Sequence, residues 1–173
     1  MPLIRNREIV PDRWRAMIES TQVADLGPGD VIVNVALLEQ AHDALLTREG
    51  RLGVRLPPHH PLQALDAGML RGVSLVELEF STHAEGRGYS QARLLRARLG
   101  YEGDIRAVGD VSRERLAFMA RCGVNEFLLP DNRSAEDALS AFSEISLVYQ
   151  PGVDGAHVIP MLRGWRASAG AVG

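Results

Sequence analysis

Five apolar runs of strand length, separated by glycine and proline breaks and alternating with helical patterns, constrain this chain more than any other feature. The runs are residues 31–36, 53–56, 73–80, 105–109 and 125–129. Residues 37–48 place Leu38, Ala41, His42 and Leu45 at helical spacing, and 61–70 reads as a second helix. Helix three, 91–99, turns Leu94, Leu95 and Leu99 inward and leaves Arg93, Arg96 and Arg98 in water, with Ser90 as its cap. Helix four, 113–122, is capped by Asp110 or Ser112 and has Leu116, Met119 and Ala120 on its apolar stripe. A variant capping box, Ser134-Ala135-Glu136-Asp137, opens a fifth helix that runs to about residue 142, and 145–149 reads as a short last strand. About five βα units predict an α/β fold with one parallel sheet and right-handed crossovers.

The period of the strands bears on the architecture. Val76, Leu78 and Phe80 share one face while Glu77 and Glu79 share the other, and Ile105 and Ala107 oppose Arg106 and Asp110. Asn34, Arg55 and Glu126 put one polar residue in each remaining strand. A sheet covered by helices on both faces reads as continuous apolar strands. The pattern therefore favours a partial (β/α) barrel with a polar concave cleft over a flavodoxin-like three-layer sandwich, and a homodimer would complete such a cleft. Three segments are expected: a lead-in over 1–30, the α/β domain over 31–150, and a tail or arm over 151–173. In the lead-in, Ile9-Val10 suggests a short strand, and Asp12 suggests the cap of a short helix through Trp14, Met17 and Ile18. Trp14 and Trp165 read as packing or interface anchors.

Composition narrows the function classes. A net charge of −3 gives no electrostatic reason to bind nucleic acid or anionic membrane. The polar first residues lack a signal-peptide core, and no apolar run approaches membrane-spanning length, so the cytoplasm is the expected location. All 19 basic residues are arginine, which removes Schiff-base lysine chemistry and the lysine of a phosphate-binding P-loop. A single cysteine, Cys122, can build neither an internal disulfide nor a cysteine-ligated cluster, and it reads as a small buried residue at a helix end. No cofactor is expected.

Three groups of residues carry candidate chemistry. The stretch Glu85-Gly86-Arg87-Gly88-Tyr89-Ser90 lies between a strand and a helix, where open α/β sheets bind ligands. Its functional reading is an oxyanion site made of Gly86, Arg87, Gly88, Tyr89 and Ser90, with helix N–H groups and a guanidinium fork as donors. Its plain reading is a tight turn in which Arg87 pairs with Glu85. Gln91 stands where a dinucleotide fingerprint needs its third glycine, so nicotinamide or flavin binding by that motif is not expected. Glu79 and Asp110 are candidate acid–base groups, with Arg106 holding an anionic substrate. The alternative is a buried Glu–Arg network that also takes in Glu77. His83 lies at a strand's carboxyl end and is a minor candidate, His59 and His60 read as loop residues, and no metal-ligand spacing occurs.

Three stretches in order carry a family resemblance: Gly86-Arg87-Gly88-Tyr89-Ser90-Gln91-Ala92-Arg93-Leu94-Leu95-Arg96, then Arg106-Ala107-Val108-Gly109-Asp110-Val111, then Arg121-Cys122-Gly123. Over roughly residues 30 to 150 the chain resembles an uncharacterised bacterial family, a domain of unknown function described as an oxidoreductase in sulfite reduction. It departs from the family pattern at His83, Ala84 and Glu85 and at Glu114 and Arg115. The resemblance implies work beside a sulfite reductase or a related sulfur-assimilation enzyme. The accompanying expectation is an accessory protein that binds a small oxyanion at the third strand–helix turn. The alternatives are a small stand-alone enzyme acting at the carboxyl ends of the strands, and a purely structural adaptor.

Overall fold

A computed structural model of the chain describes residues 1–61, 65–80 and 86–144. Three short strands come first: β1 (Leu3–Arg5), β2 (Glu8–Val10) and β3 (Arg15–Met17). Then follow β4 (Val31–Asn34), α1 (Val35–Leu46), β5 (Leu52–Leu56), β6 (Val73–Phe80), α2 (Arg87–Ala97), β7 (Asp104–Gly109), α3 (Arg113–Arg121), β8 (Glu126–Leu128) and α4 (Ala135–Glu144). All eight strands join one sheet in the order β2-β1-β8-β7-β6-β5-β4-β3. Strands β3 to β8 are mutually parallel, and β1 runs antiparallel to both β8 and β2.

This strand order forces the sheet to curl. β2 and β3 form opposite edges, yet only residues 11–14 separate them in the chain. A flat sheet of eight strands spaced about 4.8 Å apart would hold its edges roughly 34 Å from each other. Five Cα steps reach about 18 Å at most. The sheet therefore bends into a half-barrel, and the 11–14 segment crosses its open side.

The two faces of the half-barrel have different chemistry. On the convex face Val33, Val54, Val76, Leu78, Phe80, Ile105, Ala107 and Phe127 form one core with all four helices. Those helices contribute Leu38 and Leu45, Ala92 and Leu95, Leu116 and Met119, and Ala135 and Ala138. On the concave face Ile32 and Leu75 pack with Trp14 from the crossing segment. Gly53 makes room there, since a Cβ at that position would meet the Trp14 ring at 3.3 Å. The charged strand residues share this concave face with Trp14, which serves as its packing anchor.

Several elements differ from the sequence expectation for identifiable reasons. β4 ends at Asn34 because its side-chain oxygen accepts from the Leu37 N–H at 2.8 Å and caps α1. Residues 15–17 pair in parallel with Val31–Val33 as a strand rather than forming a helix, and Asp12 accepts from the Trp14 N–H in an extended lead-in. Residues 3–17 thus belong to the sheet itself. Residues 65–66 are irregular and 67–72 form turns where a second helix was expected over 61–70, and 62–64 lie outside the described residues. α2 starts at Arg87, so Ser90 lies within its first turn and does not cap it. Ser112 sits at the N-cap of α3 without a side-chain cap bond, whereas Ser134 accepts from the Asp137 N–H and does cap α4. Arg96 is not left in water: it is half-buried and donates to the carbonyls of Tyr101, Gly103 and Gly123. The strand expected at 145–149, the segment 151–173 and Trp165 lie outside the described residues.

Candidate functional site

The charged concave face is built around Arg106. Its Nε donates to Glu126 at 2.8 Å, and its two terminal nitrogens donate to the two oxygens of Asp12, each at 3.1 Å. Glu77 lies 3.7 Å away and accepts from Arg55 at 2.5 Å, while Glu126 also accepts from Arg5. Glu77, Arg106 and Glu126 are all buried. Burial would depress the Arg106 guanidinium, but the Glu126 and Asp12 carboxylates more than offset it and hold the group above its ordinary value. Burial also pushes the Glu77 carboxyl up, against the pull of Arg55 and Arg106. This network gives each of the three guanidinium nitrogens of Arg106 a structural partner. The Arg106–Asp12 pair joins β7 to the crossing segment, 94 residues apart in sequence.

Polar groups also meet at the half-barrel's two ends. At the amino ends of β4 and β5 a pocket of about 540 Å³ is lined by Arg5, Arg13, Trp14, Asp30 and Arg51. Arg51 donates to Asp30 at 2.6 and 2.9 Å, and this bond holds the Asp30 carboxyl below its ordinary value. The guanidinium of Arg51 also stacks 4.8 Å over the Trp14 ring. At the opposite end, beyond β5 and beside the start of α2, lies a pocket of about 520 Å³. His59, His60, Gly86, Arg87, Ser90 and Gln91 are among its lining residues.

The expected anion-binding residues divide within this second region. Gly86, at the N-cap position, has no side chain to cap the helix, and Arg87 and Ser90 are exposed at the pocket. The N–H groups at the start of α2 precede any carbonyl of the helix that could accept from them, while the Ser90 N–H bonds to the Gly86 carbonyl. Gly88 and Tyr89 turn the other way. A Cβ on Gly88 would come within 2.6 Å of the Phe80 ring, so glycine there lets α2 approach β6 closely. The Tyr89 ring packs 5.2 Å from Phe80 and 5.0 Å from Phe118, and burial raises its hydroxyl pKa.

The candidate acid–base residues lie on and just after neighbouring strands, where the Asp110 N–H donates to the Phe80 carbonyl at 2.7 Å. Glu79 pairs in register with Val108 on the concave face. Asp110 follows β7, where its carboxylate accepts from Arg115 at 3.3 Å. Glu85 and His83 lie outside the described residues. Cys122 is buried at the C-cap of α3. Among the described residues no group of three or more His, Cys, Asp or Glu is placed to hold a metal, and no helix is long and apolar enough to cross a membrane.

Asp12 and Gln91 carry more of the geometry than the sequence reading allowed them. Gln91 had a visible signal: it stands four residues before Leu95, on the helix face that the apolar stripe buries. Asp12 had none, because its partner lies on a strand that only the curl of the sheet brings close.

Comparison with curated proteins and with solved structures returns no match. A family profile described as a bacterial protein of unknown function matches residues 53–159, more than half of the chain. The matched span holds β5 through α4 and the pocket beside α2. On that match, the chain belongs to the bacterial family of unknown function DUF934.

Proposed function

We propose that this protein is an accessory protein of sulfite reduction, which binds a small oxyanion at the amino end of α2 and docks on a redox enzyme. The observation that carries the reading is the pocket at that helix end, where Gly86, Arg87 and Ser90 border a space of about 520 Å³. Helix-terminal N–H groups and a guanidinium favour an anion for the same electrostatic reason. The sulfur setting and the redox partner come from the family resemblance of the stretches beginning at Gly86, Arg106 and Arg121. An accessory role fits better than a stand-alone enzyme that clamps substrate with Arg106, because Asp12 and Glu126 already occupy that guanidinium.

A complementation experiment tests the proposal. A bacterium deleted for this protein should fail to grow on sulfate or sulfite as sole sulfur source and should grow on sulfide. The wild-type gene should restore growth. Arg87→Ala should not, although the variant accumulates as a folded protein, since Arg87 is exposed and its loss disturbs no core. Growth of the deletion strain on all sources would remove the sulfur assignment, and full rescue by Arg87→Ala would remove the anion clamp.

A further inference from the structure

The pocket beside α2 is lined by a residue with a buried acceptor that the described residues leave unmatched. Gln91 is 3% exposed and lines the pocket next to Arg87 and Ser90. Its Nε2 donates to the Pro57 carbonyl at 3.1 Å, with the His60 and Pro58 carbonyls at 3.4 and 3.5 Å. These contacts fix the orientation of the amide, because a flipped group would set its oxygen against three carbonyl oxygens. The other end, Oε1, is buried with no hydrogen-bond partner among the described residues. The Nε2 of His60, on the same pocket wall, also has no hydrogen-bond partner among the described residues, with the Glu39 carboxylate 3.9 Å away. A buried acceptor left unmade carries a penalty comparable to a lost hydrogen bond, so an unmatched one at a ligand pocket points to a donor on the ligand.

We infer that the pocket selects an oxyanion that still carries a proton, with Gln91 Oε1 as the acceptor that recognises the O–H. The inference rests on the oxyanion reading above and deepens it. Arg87 and the first turn of α2 supply donors, which attract any small oxyanion alike. Gln91 supplies an acceptor, and an acceptor distinguishes anions by their protonation. A fully ionised oxyanion would set a negatively charged oxygen against the amide oxygen and leave the acceptor unpaired. A hydrogen oxyanion donates one hydrogen bond to Gln91 while its charged oxygens face Arg87 and the helix end. The ligand class is therefore hydrogen sulfite or a hydrogen phosphate, and not sulfate. Gln91 fills the position at which a dinucleotide fingerprint carries glycine, and it has two tasks there: pinning the 57–60 loop to α2 and reading the ligand's proton.

Calorimetric titration of the full chain with sulfite, inorganic phosphate and sulfate tests this. At pH 6, where sulfite and phosphate both carry a proton and sulfate does not, the first two should bind at least about tenfold tighter than sulfate, the value of one matched hydrogen bond in a buried site. At pH 8.5 sulfite has lost its proton, and its advantage over sulfate should vanish. Phosphate keeps one proton there and should keep its advantage. In Gln91→Met the ratio of phosphate to sulfate affinity should fall toward one. The ratio is the readout because loosening the loop lowers both affinities together. If none of the three anions binds, the oxyanion reading fails and this inference with it. If sulfate binds as well as phosphate at both pH values, the pocket is an anion site without proton recognition, and the inference alone is overturned. A ratio unchanged in Gln91→Met would likewise remove Gln91 as the selecting group.

Discussion

Arg106 shows how one side chain can decide the stability of a curled sheet. Its donors reach Glu126 on the neighbouring strand and Asp12 on the segment that crosses the open side, and Glu77 stands 3.7 Å away. A neutral replacement of similar length removes the guanidinium, takes the partner of Asp12 away, and leaves the buried Glu126 and Glu77 to Arg5 and Arg55. Arg106→Met should therefore cost about 3–5 kcal/mol, the range for breaking one side of a buried ion pair, measured by urea denaturation against wild type. A loss below about 1 kcal/mol would mean that water reaches the network and solvates it, as it does an exposed pair. The alternation of Glu77 and Glu79 against Val76, Leu78 and Phe80 made a charged sheet face legible in the sequence, together with Arg55, Arg106 and Glu126. Which charge meets which was not legible, because side chains pair across strands whose order no local pattern records. Asp12 is the clearest case: its local context resembles a helix cap, and only tertiary structure supplies Arg106.

At the scale of elements, α2 and β6 are locked by a missing side chain. Phe80 is 1% exposed and its ring occupies the place where a Cβ at residue 88 would sit, 2.6 Å from two ring carbons. Gly88→Ala should destabilise the protein by about 1–3 kcal/mol through overpacking, against a helix-propensity gain of at most about 1 kcal/mol. A rise in melting temperature in this variant would show that the helix can lift away from the sheet freely. The start of α2 was misjudged by one turn because Gly86, Gly88 and Ser90 together resemble a loop, and glycine and serine are poor helix-interior residues. Packing against Phe80 and Phe118 overrides that weak local preference. The longer signals held better. β6 spans Val73–Phe80 as its alternation indicates, and the capping box at Ser134 opens α4.

For the whole molecule, the first seventeen residues are the part whose role the sequence hid most. They contain three strands of three residues each, too short for any periodicity to register, and they supply both edges of the sheet. A chain lacking residues 1–17 would expose the β8 edge, remove Asp12 and Arg5 from the charged face, and strip Trp14 from Ile32 and Leu75. Such a variant should lose cooperative thermal unfolding and bind a hydrophobic dye, as a compact but loosely packed state does. A sharp two-state transition in the truncated chain would show that the rest of the chain folds without them.

The pairing of β1 with β8 also sets an order of events. Leu3 lies opposite Val10 on one side and Leu128 on the other, so β1 can pair with β2 at once, but its second edge has no partner until β8 is made, Glu126 coming 121 residues after Arg5. Until then the β1–β2 hairpin waits with one edge unpaired, while the parallel strands from β4 onward meet neighbours made shortly before them. Contacts this distant in sequence carry a large loop-closure entropy and slow the approach to the native state. Closing the half-barrel thus depends on a contact between β8 and a hairpin made well before it.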